Sequence, residues 1–462
     1  MNKLTLSKEQ FERYNTSGPR YTSYPTAIEF HEKFTQEDYE AAAQRSNHEN
    51  NKPLSLYYHI PFCDTICFYC ACNKIATKDR SKAETYLTAL FKEIEMQGKL
   101  YNKERLVDQL HLGGGTPTFI SLQQMQSLFN KAAEHFSLRN DDKGEYSIEI
   151  DPRECNPEMV AGLREIGFNR LSLGVQDFDE KVQKAVNRVQ PDELTFRTID
   201  AARKNNFHSV SVDLIYGLPL QTIDSFSKTL DKMIDAAPDR ISLFNYAHLP
   251  HVFKPQRRIN EDELPAAEDK LIIFNQSIQQ LTDAGYVYIG MDHFAKTDDP
   301  MNAAQKNGQL HRNFQGYSTH AQCDMVAMGV SSISEVNNVY SQNVKTLDEY
   351  YAAIEKNQLP IQKGITLTDN DMLRKHIIEQ LMCNFKLDYS HIEQRFNINF
   401  KTYFEKELSA LQHMHNDGLL ALKDNGLEIN LLGRLLIRNI CMVFDDYLQK
   451  AQEKGQRFSK VI

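Results

Sequence analysis

Between residue 54 and about residue 294 the sequence repeats one unit: a short β-branched or alternating apolar run, a polar or Gly-rich turn, then apolar residues at helical spacing. The runs read LSLYYHI, QLHLGG, YSIEI, RLSLGV, SVSVDLIYG, RISLFNYA and YVYIGMDHF. Helices are expected between them over Ala83 to Gln97, Leu122 to His135, Pro157 to Ile166, Leu194 to Lys204 and Ile223 to Ala236. Strands that alternate with helices at this pitch are parallel and joined by crossovers. The fold class is therefore α/β, an open or closed βα barrel whose reactive groups sit on the loops after the strands.

The flanks break this rhythm. The first fifty residues lack it, and TSGPRYTSYPTA, from Thr16 to Ala27, reads as an extended arm punctuated by proline. After about Gln358 come helices, then LLALKD and LEIN around an Asn-Gly turn, then an amphipathic helix expected from Leu431 to Lys450. That order resembles a winged helix. From Asp371 onward 13 Lys and Arg face 12 Asp and Glu, and the whole chain carries −9, so no nucleic-acid partner is expected. The opening MNKLTLSKEQFERYN lacks the apolar core of a signal peptide, and no later stretch is long and apolar enough to span a bilayer. A cytoplasmic protein with no membrane partner is expected.

Four of the eight cysteines fall in YYHIPFCDTICFYCAC, at Cys63, Cys67, Cys70 and Cys72, directly after the first strand. Clustered thiols in a cytoplasmic protein point to metal. A structural zinc held by four sulfurs is one reading, made awkward by the tight C-x-C end and the lack of a second C-x2-C half. An iron–sulfur cluster held by three thiolates is the other, and it leaves one iron open for chemistry. Cys155, Cys323, Cys383 and Cys441 stand among apolar neighbours and are expected to be small buried hydrophobes. The triplet Gly113 to Gly115 follows the second strand, where backbone amides without a Cβ between them can approach a charged ligand.

The C-x3-C-x2-C spacing after a first strand, with Gly113 to Gly115 after the second, resembles the radical S-adenosylmethionine (SAM) superfamily. Further stretches, GPRYTSYPTA, GGGTPT, SIEIDPRE, LSLGVQDFD, DLIYGLP, FNYAHLP, GMDHFA, LHRNFQGY and LLIRNICMVFD, are similar to the oxygen-independent coproporphyrinogen III oxidase family. The resemblance implies a partial, open parallel βα barrel of the radical SAM type over 51–358. An N-terminal arm over 1–50 and a mainly helical, winged-helix-like domain over 359–462 would flank it. It implies a 4Fe-4S cluster on Cys63, Cys67 and Cys70, with Cys72 beside it as a non-ligand, and two molecules of SAM. Tyr57, Gly114, Glu149 and Ile333 are similar to positions around the cluster-bound SAM. Tyr69, Gly115, Thr116, Gln176, Arg188, Asp213 and Ala247 are similar to positions around the second, and the family also carries Phe where Tyr69 stands.

The implied reaction is oxidative decarboxylation of two propionates of coproporphyrinogen III to vinyl groups, giving protoporphyrinogen IX. A reducing electron donor such as flavodoxin or ferredoxin is implied as partner, and a monomer is expected. Four propionates call for cations and an apolar cleft. Arg20 and Arg312 are the candidate cations, and Tyr21, Tyr24, Phe314 and Tyr317 the candidate flat contacts. Cys72 and Arg312 complete the candidate catalytic set. A haem-binding chaperone of the same superfamily is disfavoured by Cys72 and the arm; a zinc-stabilised winged-helix regulator predicts a colourless protein with salt-dependent DNA affinity.

Overall fold

The computed structural model describes residues 7–49, 52–320, 322–448, 458 and 460. They form two compact units, each discontinuous in sequence. One comprises Phe30–Pro265 and Gln322–Thr366; the other takes the chain up to Glu29, Ala266–Ala321 and Leu367 onward.

The first unit is built on an open sheet. Its strands in chain order are β1 (Leu54–Ile60), β2 (Leu106–Gly114), β3 (Glu145–Ile150), β4 (Arg170–Gln176), β5 (Ser209–Tyr216), β6 (Arg240–Asn245), β7 (Asp324–Met328), β8 (Ile333–Val336), β9 (Val339–Asn343) and β10 (Ile361–Thr366). In space they run β6-β5-β4-β3-β2-β1-β7-β8-β9-β10. From β6 to β7 every neighbour is parallel, whereas β8, β9 and β10 continue as an antiparallel meander. Leu54, Leu56, Tyr58 and Ile60 of β1 are all at most 1% exposed, the apolar row expected of a central strand under crossover helices.

Those helices are α1 (Ser81–Gly98), α2 (Leu122–His135), α3 (Pro157–Ile166), α4 (Asp192–Lys204) and α5 (Ile223–Ala236). Their ends follow from sequence. Ser121 caps α2 in a reciprocal box with Gln124, and Thr222 caps α5 with Ser225, each worth about 1 kcal/mol. Asn156 caps α3 with Pro157 in its first turn, and Gly167 ends it at φ 123°, a conformation that favours glycine.

The second unit holds the mainly helical end of the chain. Leu420–Lys423 and Gly426–Ile429 form a hairpin, joined by Lys386–Asp388, beside helices Asp369–Asn384, Tyr389–Phe396 and Glu405–Asn416.

The structure differs from expectation at three points. YVYIGMDHF is not one continuous strand: it folds as an antiparallel hairpin, Tyr286–Gly290 with His293–Lys296, because Gly290 and Met291 take positive φ and reverse the chain. The seventh parallel strand is instead β7, from DMVAM. The final helix is broken, Leu431–Leu435 then Ile437–Met442, with Leu436 at φ −105° and ψ 20° between them; its expected end at Lys450 lies outside the described residues. Residues 16–27 form no helix or strand, as expected of the arm; the helix Lys8–Tyr14 precedes them, and Tyr14, Tyr21 and Tyr24 are buried to 2–4% exposure in the second unit's core with Leu381 and Ile437. The linear boundaries at 50 and 358 accordingly differ from those of the compact units, since Gln36–Glu49 packs on β8 and β9, and β10 belongs to the sheet.

Candidate active site

Side chains alternate across a strand, so residues two apart share a face. One face of the sheet carries a polar stripe at the carboxyl ends of its strands: Tyr57 pairs in register with His111 and His111 with Ser147, Glu149 with Ser172, and Gly174 with Asp213. The Tyr57 and His111 rings stack at 5.7 Å and 13°, and the Tyr57 hydroxyl lies 3.2 Å from His59 Nδ1. His111 reaches Ser147 Oγ at 2.5 Å and Glu149 Oε1 at 3.2 Å. Burial and the neighbouring charge of Glu149 push the Asp213 carboxyl up to about 7.

The cysteine loop closes over this stripe. A cavity of about 260 Å³ is lined by Cys63, Cys67, Cys70 and Cys72 together with Tyr69, Gly114, Gly115, Thr116, Glu149, Gln176, Arg188 and Asp213. Residues scattered over 150 positions of sequence thus meet in one place. Backbone amides of Gly115 and Thr116 donate to the carbonyls of Ile60 and Phe62, both at 2.8 Å, and a Cβ on Gly115 would stand 2.7 Å from the Phe62 oxygen. The Gly114 amide donates to Glu149 Oε2 at 3.2 Å.

The thiols differ in environment. Burial pushes Cys63 up to about 11, and Thr116 Oγ1 donates to its sulfur at 3.4 Å. A hydrogen bond from Cys72 draws Cys70 down to about 6 and holds the Cys72 proton on correspondingly tightly. Cys67 faces two guanidinium groups, Arg188 at 3.6 Å and Arg153 at 3.8 Å. Asp151 joins them, accepting from Arg188 Nη1 at 2.8 Å and Arg153 Nη2 at 2.7 Å.

Tyr57, Ile333 and Ala247 do not line the cavity. Tyr57 stacks on His111 in the same stripe, Ile333 opens β8, and the Ala247 carbonyl accepts from Gln256 Nε2 at 3.3 Å. The same amide donates to the Tyr69 carbonyl at 3.0 Å, so the buried Gln256 ties both segments together. Arg312 belongs to the second unit, where its guanidinium covers the Tyr317 ring at 4.9 Å; its Nε and Nη1 are buried without a hydrogen-bond partner. In that unit Arg20 lies 3.8 Å from Asp292. Tyr21, Tyr24 and Tyr317 are core residues, at most 7% exposed, and Phe314 is half-buried. Of the scattered thiols Cys155, Cys383 and Cys441 are buried and Cys323 is half-buried.

Sequence reasoning missed Asp151, Arg153, Ser172 and Gln256. SIEIDPRE held the first two in plain view: an acid and a base two apart, at the end of a barrel strand, is the pattern of a site rather than of a core.

The donor set fits an iron–sulfur cluster with an adenosyl ligand. Three or four thiols converge, Gly115 leaves a cradle that a Cβ would fill, and Arg188 Nε and Asp64 Oδ1 are buried at the cavity without a partner. Fold and site together are those of a radical SAM protein, and the Radical SAM superfamily model matches residues 57–233. The HemN C-terminal domain model matches residues 367–436. The chain is 50% identical to an oxygen-independent coproporphyrinogen III oxidase of Pseudomonas aeruginosa over the whole of both chains, and 47% identical to that of Escherichia coli K12 over 98% of this chain and 97% of the relative. A solved structure described as coproporphyrinogen III oxidase (HemN) from Escherichia coli, a radical SAM enzyme, superposes with a TM-score of 0.91 at 44% identity, covering 97% of this chain and all of the other. The chain belongs to the oxygen-independent coproporphyrinogen III oxidase family.

Proposed function

We propose that this chain carries out the oxygen-independent oxidation of coproporphyrinogen III to protoporphyrinogen IX, removing two propionate carboxyls as carbon dioxide and leaving vinyl groups. The observation that carries this reading is the convergence of Cys63, Cys67 and Cys70 on one cavity with a Gly-rich turn and a carboxylate stripe, in a chain half identical to a named oxidase. When bound, the cluster and SAM would supply one-electron radical chemistry for hydrogen abstraction at a propionate β-carbon, with an external acceptor taking the electron left when carbon dioxide is lost.

The chain's own part is to hold, orient and exclude. Cys63, Cys67 and Cys70 are the cluster ligands, with Cys72 as a neighbouring donor. Glu149, anchored by the Gly114 amide and His111, accepts from ribose hydroxyls, with Tyr57 and Ile333 flanking the same ligand. Tyr69, Gly115, Thr116, Gln176, Arg188, Asp213 and Ala247 surround a second SAM. Gln176 stands at φ 72°, which turns its side chain toward Gly174 and Arg188. Arg312 is the leading propionate holder, because a buried guanidinium with two unpaired N–H groups is matched by a carboxylate. A low-potential one-electron carrier such as flavodoxin or ferredoxin serves as donor, and the protein acts as a cytoplasmic monomer. Among the described residues no helix is long and apolar enough to cross a membrane.

Anaerobic incubation with SAM, a reductant, an electron acceptor and coproporphyrinogen III is the direct test. Loss of two carbon dioxides by mass is expected, with no turnover in Cys63→Ala, Cys67→Ala or Cys70→Ala. SAM cleavage surviving any of those changes refutes the ligand set; haem binding without turnover refutes the oxidase reading.

A further inference from the structure

We propose that Arg153 and Arg188, bridged by Asp151, set the reduction potential of the cluster by aiming guanidinium N–H groups at the Cys67 sulfur. The inference rests on the reading that Cys63, Cys67 and Cys70 hold the cluster. The sulfurs are treated unequally: Cys67 has two cationic donors at 3.6 and 3.8 Å, whereas Cys63 has one neutral donor, Thr116, at 3.4 Å. Reduction adds negative charge that spreads onto the ligand sulfurs. Donors and positive charge at a sulfur therefore favour the reduced state over the oxidised one and raise the potential.

The arrangement is fixed and shielded. Arg153 grips Asp151 with a fork, Nε to Oδ1 at 3.0 Å and Nη2 to Oδ2 at 2.7 Å, while Asp151 also accepts the Arg153 backbone amide at 3.0 Å. Arg188 is held by Nη2 to the Gly174 carbonyl at 2.5 Å and by its own amide to the Gln183 carbonyl at 2.8 Å. The three side chains are only 17%, 8% and 7% exposed, so solvent and salt screen their charges weakly. Two cations and one anion leave a net positive charge at Cys67, and the two signs give opposite predictions. Removing Arg153 lowers the potential; removing the charge of Asp151 raises it.

The test is a potentiometric titration of the reconstituted protein without SAM, because Arg188 is also assigned to SAM. One electron passes from the chemical reductant to the cluster, no bond is made or broken, and the reduced fraction is read by electron paramagnetic resonance. Iron and sulfide content is measured in parallel. For Arg153→Gln the ratio of reduced to oxidised cluster at the parent midpoint is expected to fall about tenfold, a shift of about 59 mV to more negative potential. Arg153→Lys is expected to lie between that and the parent, and Asp151→Asn to shift positive. An unchanged midpoint in Arg153→Gln at full cluster content overturns the proposal, as does a shift of the same sign in both charge variants. If Arg153→Gln assembles no cluster, Asp151→Asn decides alone. Loss of cluster in both variants also overturns the proposal, since the bridge would then be a latch for the Cys67 segment. A parent chain that binds no iron refutes the cluster reading itself and is told apart at the first measurement.

Discussion

Glu93 is the most informative residue for testing how the sheet end behind the cysteine loop is held. It lies on α1 with no exposed surface, and its carboxylate accepts from three donors: the Gly329 amide at 2.7 Å, the Tyr350 hydroxyl at 2.6 Å and the Asn343 amide at 2.8 Å. Beside it, Tyr86 donates to the His59 carbonyl at 2.7 Å and accepts from the Val330 amide at 3.0 Å, so α1 is tied to the ends of β1 and β7. Burial outweighs the three donors and pushes the Glu93 carboxyl up to about 7. The fold therefore holds this proton more tightly than the unfolded chain. Its contribution to stability is fully present below pH 4.5 and is lost as pH rises through about 7. At about 1.4 kcal/mol per pKa step, the swing is roughly 3 kcal/mol. Glu93→Gln removes the titration and sets one amide N–H group against a donor, at a cost of about 1–3 kcal/mol. The variant is thus expected to be less stable than the parent near pH 5 and to gain on it by roughly 3 kcal/mol toward pH 8. Urea unfolding of both proteins across that range measures the difference, and the other raised carboxyls, Glu154, Asp177, Asp213 and Asp445, titrate alike in both and cancel. A difference that does not move with pH refutes the argument, and one that widens shows that the donors outweigh burial.

Three further predictions concern the frame and the site. Arg105 and Asp324 form a buried pair at 2.5 Å with side chains 0% and 4% exposed, so Asp324→Ala strands a cation and is expected to cost about 3–5 kcal/mol in denaturant unfolding. Gly115→Ala brings a Cβ to 2.7 Å from the Phe62 oxygen and 2.8 Å from the Pro61 carbonyl carbon, so backbone must move; titration calorimetry is expected to show SAM affinity reduced tenfold or more, about 1.4 kcal/mol, with the iron content kept. Arg312→Ala would remove the proposed propionate holder, a charge-assisted contact of about 1.5–3 kcal/mol, so coproporphyrinogen affinity is expected to fall at least tenfold while SAM cleavage survives.

What the sequence revealed follows from which signals are local. Leu122–His135, Pro157–Ile166 and Ile223–Ala236 match their expected ends because caps and C-terminal breaks are written within a few residues of each boundary. β7 escaped notice because DMVAM is short, buried at every position and far in sequence from its neighbour β1, so neither alternation nor a following helix marks it. YVYIGMDHF misled for the converse reason: its composition is that of a strand, and only the reversal at Gly290 and Met291 reveals the hairpin. At the site, the cysteine spacing and the Gly triplet were legible because each is contiguous in sequence. Asp151 and Arg153 gave only the general signal of paired charges at a strand end in SIEIDPRE, and their particular role depends on Cys67 lying across the cavity, about 85 residues away in sequence.

The buried carboxyls of the cavity make ligand binding depend on pH. Arg153, Arg188 and Lys74 line it together with Asp64, Asp151 and Glu154, while Glu149 and Asp213 reach it from β3 and β5. Asp213 is held up to about 7 by burial and by Glu149, with Ser172 Oγ 3.5 Å away and His111 on the same face as a weak opposing influence. A sulfonium nucleotide brings positive charge into this space, which favours the ionised carboxylate and releases its proton. By linkage, affinity for SAM is expected to rise with pH up to about 7 and then level off, approaching tenfold per pH step where the proton is displaced completely. Calorimetry of SAM binding to the reconstituted protein in buffers of different ionisation heat measures that proton directly. Asp213→Asn is expected to abolish both the pH dependence below 7 and the proton release, with the cluster still present by its absorbance. Proton release that persists in Asp213→Asn places the titrating group elsewhere. An affinity that falls as pH rises through 7 means that the ligand prefers a protonated Asp213, as a hydrogen-bond donor rather than as a charge.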